Sequence, residues 1–445
     1  MQSLFYFIIA LSLLVVIHEY GHYWVARRCG VKVLKFSVGF GKALWSRTGK
    51  NGTEFVIAAL PLGGYVKMLD SRETDLTEAE KLLSFDQQSL GKRVAIVSAG
   101  PAANLLFAIL AYWIILVMGV PGSKPIIDQV VADSPAALAQ LQSGDELIAI
   151  NGKKTPTWNS VFQRWLNYAR NGDEVTITVL SDGVNQEKTL QLPLVSLDAA
   201  AELFTEVGIA PYRPPMPAIL GQVIADGAAA QAGLKVGDKL VSADDQKLDD
   251  WQSWVALIQA SPDKTLQVSF LRDGQQLTLG LTPKPDEQGK GRIGAGVDLS
   301  GQALPKALQS ELRYNPLAAM PEAVMQTWSF SANTVVSLWG MLQGSVSTKN
   351  LGGPISIAQF AGSSAQQGLI SFIGFLAMIS ISLGILNLLP VPILDGGHLL
   401  MYFIEWVKGS PVSETVQMQG QKIGLILLLM LMFLAFANDL TRLFG

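Results

Sequence analysis

The sequence predicts a polytopic α-helical membrane protein with four transmembrane helices. An inserted tandem of β-rich modules and a membrane-associated β-hairpin complete the predicted fold. Three observations carry this reading. The chain has 445 residues, 49% of them hydrophobic, with four long apolar stretches. Its middle contains a repeat, with Trp158 and Trp251 standing 93 positions apart. Two strand-like runs broken by Gly and Pro follow the first apolar stretch.

The apolar stretches are 1–26 (apolar from Leu4), 94–120, 369–394 and 423–438. Crossing the hydrocarbon takes about 20 apolar residues. The first stretch lacks the basic start and small-residue cleavage site of a secretory signal, and Arg27 and Arg28 follow it, so it reads as a span. Basic residues set the orientation. Arg27, Arg28, Lys32, Lys35, Lys42, Lys92 and Arg93 cluster in 27–93, which marks that loop as cytoplasmic. Counting crossings then places 121–368 outside, 395–422 inside and both chain ends outside. A formal net charge of -3 gives no footprint for nucleic acid. Cys29 is the single cysteine, so no internal disulfide forms.

Within the outer segment, "SPAALAQLQSGDEL" from Ser134 matches "GAAAQAGLKVGDKL" from Gly227. Each copy carries an alternating strand (174–180 and 265–271), an Asp-Gly turn and one helix (159–169 and 252–260). A period of this length is a domain duplication, giving modules at 121–215 and 216–300. The copies differ where Gln140 stands for Gly233 and Ser143 for Val236. Each module resembles the bacterial, circularly permuted PDZ domain. That resemblance implies capture of peptide C-termini by strand addition.

Loop 27–93 holds two strand-like runs, 32–41 and 54–68. The run from Phe55 to Leu60 is more apolar than a solvated hairpin needs. Two readings fit it: an ordinary surface hairpin, or one that dips against the bilayer, where backbone polar groups must be covered by protein or a water-filled cavity. Residues 301–368 are spaced like an amphipathic helix on the membrane surface. "LGGPISI" from Leu351 reads as a rigid turn before the third span.

The chemistry is concentrated in "HEYGH". His18 and His22 lie four residues apart, one helical turn, so both ring nitrogens reach one ion. Glu19 beside them is placed to take a proton from water. This is the zinc-protease pattern H-E-x-x-H. A bland alternative is a pair of polar residues snorkelling at a helix end. Against it stands the cost of ionisable groups in a span, about 2.5–3.5 kcal/mol at the centre, which usually marks function. Asp395, in "NLLPVPILDGGH", is a candidate third ligand, with Pro390 and Pro392 breaking the helix before it. Gly396 and Gly397 are expected to let the backbone turn there. His398, the remaining histidine, competes for the position. Asn104, among small residues in "AGPAAN", reads as a helix-packing residue.

Together "HEYGH", "NLLPVPILDGG", "SAGPAANLLFA", "VGFGKALW" and the tandem repeats resemble the site-2 protease family of intramembrane metalloproteases. The resemblance covers nearly the whole chain. It implies zinc held by His18, His22 and Asp395, with Glu19 as catalytic base. It implies that Asn387, Pro390 and Pro392 help hold the substrate. It also supports a hairpin contribution from Phe55, Ile57, Ala59 and Gly63. The implied substrates are single-span membrane proteins, such as an anti-sigma factor, or remnant signal peptides, cut within the bilayer. The outer tandem would act as a size filter or docking element. The rival reading is a membrane-anchored PDZ-type sensor with a structural metal site.

Overall fold

The computed structural model describes residues 2–72, 76–195, 200–244, 246–286, 289–298, 304–348 and 351–444. The chain forms two compact units. Among the described residues, one is built from 2–120, 200–201 and 312–444, the other from 121–195 and 202–311.

In the first unit, helix α1 (Gln2–Arg28) ends on Arg27 and Arg28, cations that suit a helix C-terminus. Strands β1 (Val33–Thr48) and β2 (Glu54–Met68) follow. They fold over on themselves at Gly39 and Gly41, whose φ values are +91° and +88°. The first half of β1 therefore pairs twice: Phe36 stands opposite both Phe55 and Val66. The sheet so made has four segments in the order 43–48, 54–58, 33–38, 64–68. Segment 64–68 is an edge, paired on one side only among the described residues. Helix α2 (Leu90–Met118) buries a stripe running from Ile96 through Gly100 and Asn104 to Ala108 and Ala111.

The second unit holds two modules of one design. In the first, Lys153–Lys154, Glu146–Ile150, Glu174–Ser181 and Val184–Gln191 form a sheet in that order, and Ile127–Val130 pairs with Ile209–Pro211. The second repeats this with Gln246–Lys247, Lys239–Ala243, Leu266–Arg272 and Gln275–Leu281, while Leu220–Val223 pairs with Ala295–Val297. Helices α3 (Trp158–Ala169) and α4 (Trp251–Gln259) cover the cores, with Trp165 and Trp254 fully buried. The Asp-Gly turns have positive φ at both residues, 49° and 81° at Asp182–Gly183 and 51° and 79° at Asp273–Gly274. The repeated Gly-Asp is structural. Asp145 is buried and paired with Lys188 at 2.9 Å, and Asp238 is buried and paired with Arg272 at 2.7 Å. Gln140 keeps the left-handed conformation of its counterpart Gly233, with φ of 60° against 94°.

Back in the first unit come α5 (Pro316–Gln343), α6 (Pro354–Gln367), α7 (Leu369–Leu388), α8 (Asp395–Lys408) and α9 (Glu414–Phe444). Among the described residues, four helices are long and apolar enough to cross a membrane: α1, α2, α7 and Thr415–Leu443 of α9.

The structure departs from the sequence expectation in several places. The third apolar stretch stops being helical at Leu388, not 394. The expected loop 395–422 is mostly helical, because 395–408 has one apolar face and starts on an acid at its N-terminus. "LGGPISI" is the start of α6, with Gly353 at the cap and Pro354 in the first turn, where its missing N–H costs nothing. Helix α5 does not stand apart from the bundle. Its small residues Ala319 and Ala323 are buried against Leu116, and Phe330 packs near Ala108 and Ala377.

Candidate metal centre

Helix α1 presents His18 and His22 on its buried face, with ring centroids 4.8 Å apart. Their Nε2 atoms are 3.2 Å from each other. Asp395 Oδ2 lies 3.1 Å from His18 Nε2 and 3.5 Å from His22 Nε2. Asp395 reaches this point because α7 breaks after Leu388 and α8 restarts at Asp395 itself. Gly396 and Gly397 are helical and do not make the turn; they let the preceding backbone, Leu388–Leu389 and Val391–Pro392, pack against the start of α8. A bidentate ion pair holds α8 in place: Arg93 of α2 meets Glu405 at 3.1 and 2.5 Å, and its guanidinium lies over Tyr402.

Helix α2 supports both rings. His22 Nδ1 is 2.8 Å from the Ile96 carbonyl oxygen. A carbonyl only accepts, so Nδ1–H donates and the Nε2 lone pair points to the centre. His18 Nδ1 is 3.3 Å from the side-chain amide of Asn104, which is fully buried. A Cβ at Gly100 would strike both imidazoles, so only glycine lets α2 pass this close. Asn104 is therefore more than a packing residue, a role that sequence reasoning missed. Its partner is 86 positions away, and no local pattern signals it.

The three donors fit a divalent cation. Their ligand atoms all lie within 4.8 Å of one another. Asp395 Oδ2 is buried without a hydrogen-bond donor. Two imidazole nitrogens and a carboxylate oxygen are a donor set zinc accepts. His398 is not in this set. It sits one turn along α8 and lines the same cavity as the three donors.

That cavity, of about 540 Å³, is lined by Glu19, by the edge strand Gly64–Met68 and by Asp70 and Arg72. Gly64 is nearly in contact with α1; a Cβ there would come 3.0 Å from Glu19 Cγ. The other expected substrate residues are elsewhere. Phe55 packs on Tyr23 and Phe36, and its segment is paired on both sides, so its backbone is already used. Ile57 and Ala59 are exposed outside the cavity lining. Gly63 abuts Phe40, one residue short of the lining. Asn387 is half-buried near the end of α7, Pro390 is exposed, and Pro392 packs on Gly420 and Gly424 of α9. None of these three lines the cavity.

The sequence profile of peptidase family M50 matches residues 6–431. The chain belongs to peptidase family M50. As an M50 member of the site-2 protease type it is an intramembrane zinc metalloprotease, and its four apolar helices suit an inner membrane protein. It is 45% identical over 442 residues to "Regulator of sigma-E protease RseP" of Salmonella typhimurium, with 98% of each chain covered. It is 44% identical over 443 residues to the Escherichia coli protein of the same name, again with 98% of each covered. A "Putative zinc metalloprotease" of Vibrio cholerae is 45% identical over 443 residues, 98% of both chains. Among solved structures, the PDZ domain of an SdrC-like protein from Listeria monocytogenes shares 17% identity, a TM-score of 0.17, 19% of this chain and 90% of that one. That last likeness is too slight to bear on the fold of the modules.

Proposed function

We propose that this M50 protein cuts a peptide bond inside the transmembrane helix of a single-span membrane protein, such as an anti-sigma factor. The convergence of His18 Nε2, His22 Nε2 and Asp395 Oδ2 beside Glu19, on a helix of membrane-spanning composition, carries the reading. Zinc held by these three residues supplies Lewis acidity and eases the ionisation of water. The Glu19 carboxylate takes the proton of the attacking water and delivers it to the leaving amide nitrogen.

A helical substrate must unwind before attack, and its freed N–H and C=O groups need partners at once in lipid. The edge strand Gly64–Met68 supplies them by strand addition, beside the catalytic carboxylate. Asn387, Pro390 and Pro392 act indirectly in this scheme, by shaping the break that delivers Asp395. The folded hairpin carries exposed Phe40, Leu44, Trp45 and Leu60, which suits it to dip into the inner membrane. The basic loop 27–93 lies on the cytoplasmic side, and the two modules and both chain ends in the periplasm. We assign the modules a PDZ-like role, capturing peptide C-termini and screening substrates by size. The sensor alternative requires a closed structural site. Among the described residues the candidate donor set holds three groups and His398 is not one of them, which favours the catalytic reading.

The test compares purified parent and Glu19→Gln protein on a tagged single-span substrate. The variant is expected to retain zinc and lose cleavage. Cleavage at the parent rate would remove Glu19 from the mechanism.

A further inference from the structure

The edge strand at 64–68 meets only half of what an opened substrate segment needs. In an extended strand the N–H and C=O groups of successive residues point to opposite sides. A segment added to 64–68 therefore bonds that strand through every second residue. The residues between turn their backbone groups away from it, and in a bilayer those groups also need partners.

Helix α8 contributes to the wall of the same cavity. Asp395, His398 and Tyr402 line it together with Gly64–Met68. They stand at i, i+3 and i+7, one face of a helix. His398 is exposed to the cavity and Tyr402 is half-buried. Glu405, one turn further, accepts from Arg93, whose guanidinium carbon lies 5.0 Å from the centre of the Tyr402 ring. The phenol is thereby held in place by α2. Among the described residues neither the imidazole of His398 nor the hydroxyl of Tyr402 has a hydrogen-bond partner. The other polar pair at this end, Asp70 and Arg72, is engaged with itself at 2.8 and 2.5 Å.

An uncharged imidazole and a phenol each carry one donor and one acceptor, the same pair that a strand residue presents on one side. Burial favours that form of both: it lowers the His398 imidazole from its ordinary value and pushes the Tyr402 hydroxyl up to about 12. The spacing agrees as well. Four helical residues rise about 6 Å, and two strand residues about 6.6–6.8 Å. His398 and Tyr402 are therefore spaced to take consecutive outward-facing residues of an added strand.

We propose that His398 and Tyr402 are substrate-binding residues, which bond the backbone groups of the unwound segment that face away from strand 64–68. This rests on strand addition at that edge. The substrate is then held from both sides, by the edge strand and by the polar face of α8. One helix supplies both a metal donor and this clamp, which fixes the scissile bond relative to Asp395.

The test uses full-length, zinc-loaded protein in detergent, in the Glu19→Gln background so that peptides are not cut. A fluorescein-labelled single-span peptide is made as a series. Each member has one backbone amide replaced by an ester, which removes one N–H, at successive positions around the bond that the parent enzyme cuts. Without further substitution, esters at successive positions are each expected to weaken binding about 3- to 10-fold, the scale of one neutral hydrogen bond. With His398→Phe and Tyr402→Phe together, the penalty is expected to survive only at every second position, those facing 64–68. His398→Gln, which keeps a donor and an acceptor, should restore the His398 share. Zinc content and thermal melting establish that each variant is folded. Where His398→Phe fails to fold, Tyr402→Phe alone is used and is expected to relieve one outward-facing position. A penalty at only every second position before these substitutions would leave strand addition standing and overturn the clamp. Successive penalties that the substitutions do not change would also overturn it. No penalty at any position would remove strand addition and the clamp together.

Discussion

Asn104 approaches His18 with the wrong atom for a metal-loaded site. Its amide nitrogen is 3.3 Å from His18 Nδ1, and its Oδ1 is buried with no partner. A cation on His18 Nε2 requires the proton on Nδ1, and that proton needs an acceptor. Turning the amide over presents Oδ1 to it. The assignment of O and N in an amide follows its hydrogen-bond network, so a metal-loaded His18 puts Oδ1 at this contact. Asn104→Leu is expected to weaken zinc binding by about 10–100-fold, the usual cost of losing such a support. Asn104→Asp, which keeps an acceptor, should recover most of it. Chelator competition measures both, and unchanged affinity in Asn104→Leu would show that the contact is only packing.

Asp395 and His398 are separated by the same metal measurement. Asp395→Ala is expected to lose most bound zinc, since Oδ2 meets both histidine nitrogens within 3.5 Å. His398→Ala is expected to keep it. The reverse outcome in a metal assay would move the third ligand to His398.

The edge strand is tested at Gly64. Gly64→Val places a side chain where Val15 and Glu19 already stand, so the strand must move outward. Cleavage is expected to fall by about 10²-fold, the scale of a 1 Å misplacement. Zinc content should stay at the parent level. A variant that cuts normally would mean that substrate does not lie along 64–68.

Arg93 and Glu405 tie α2, which backs both imidazoles, to α8, which carries Asp395. Both side chains are only 15% exposed. Their coupling in a double-mutant cycle on thermal stability is expected to be about 1–3 kcal/mol. Each single variant should also lower zinc affinity. Additive effects on both quantities would show that the pair does not position the third donor.

Much of this was legible in the chain. H-E-x-x-H at 18–22 is a local spacing, and the helix period alone brings its two rings together. The repeat at 134 and 227 and its Asp-Gly turns are equally local. The misses share a different physics. The expected hairpin edge at 55–68 covers two unlike segments: the fold-over at Gly39 and Gly41 pairs 54–58 on both sides and leaves 64–68 as the edge. Strand order is a long-range choice that alternation does not encode. Asn104 was read as packing because its partner lies on another helix. The helix at 395–408 was missed because two prolines and two glycines precede or open it, residues that usually mark a loop.

The position of Asp395 along the chain has a consequence for biosynthesis. Both imidazoles, the proposed proton acceptor, the proposed receiving strand and the backing helix are all made before residue 119. The last of the proposed donors is translated only after both modules. A nascent polypeptide thus carries most of a cutting apparatus through nearly all of its synthesis without being able to use it.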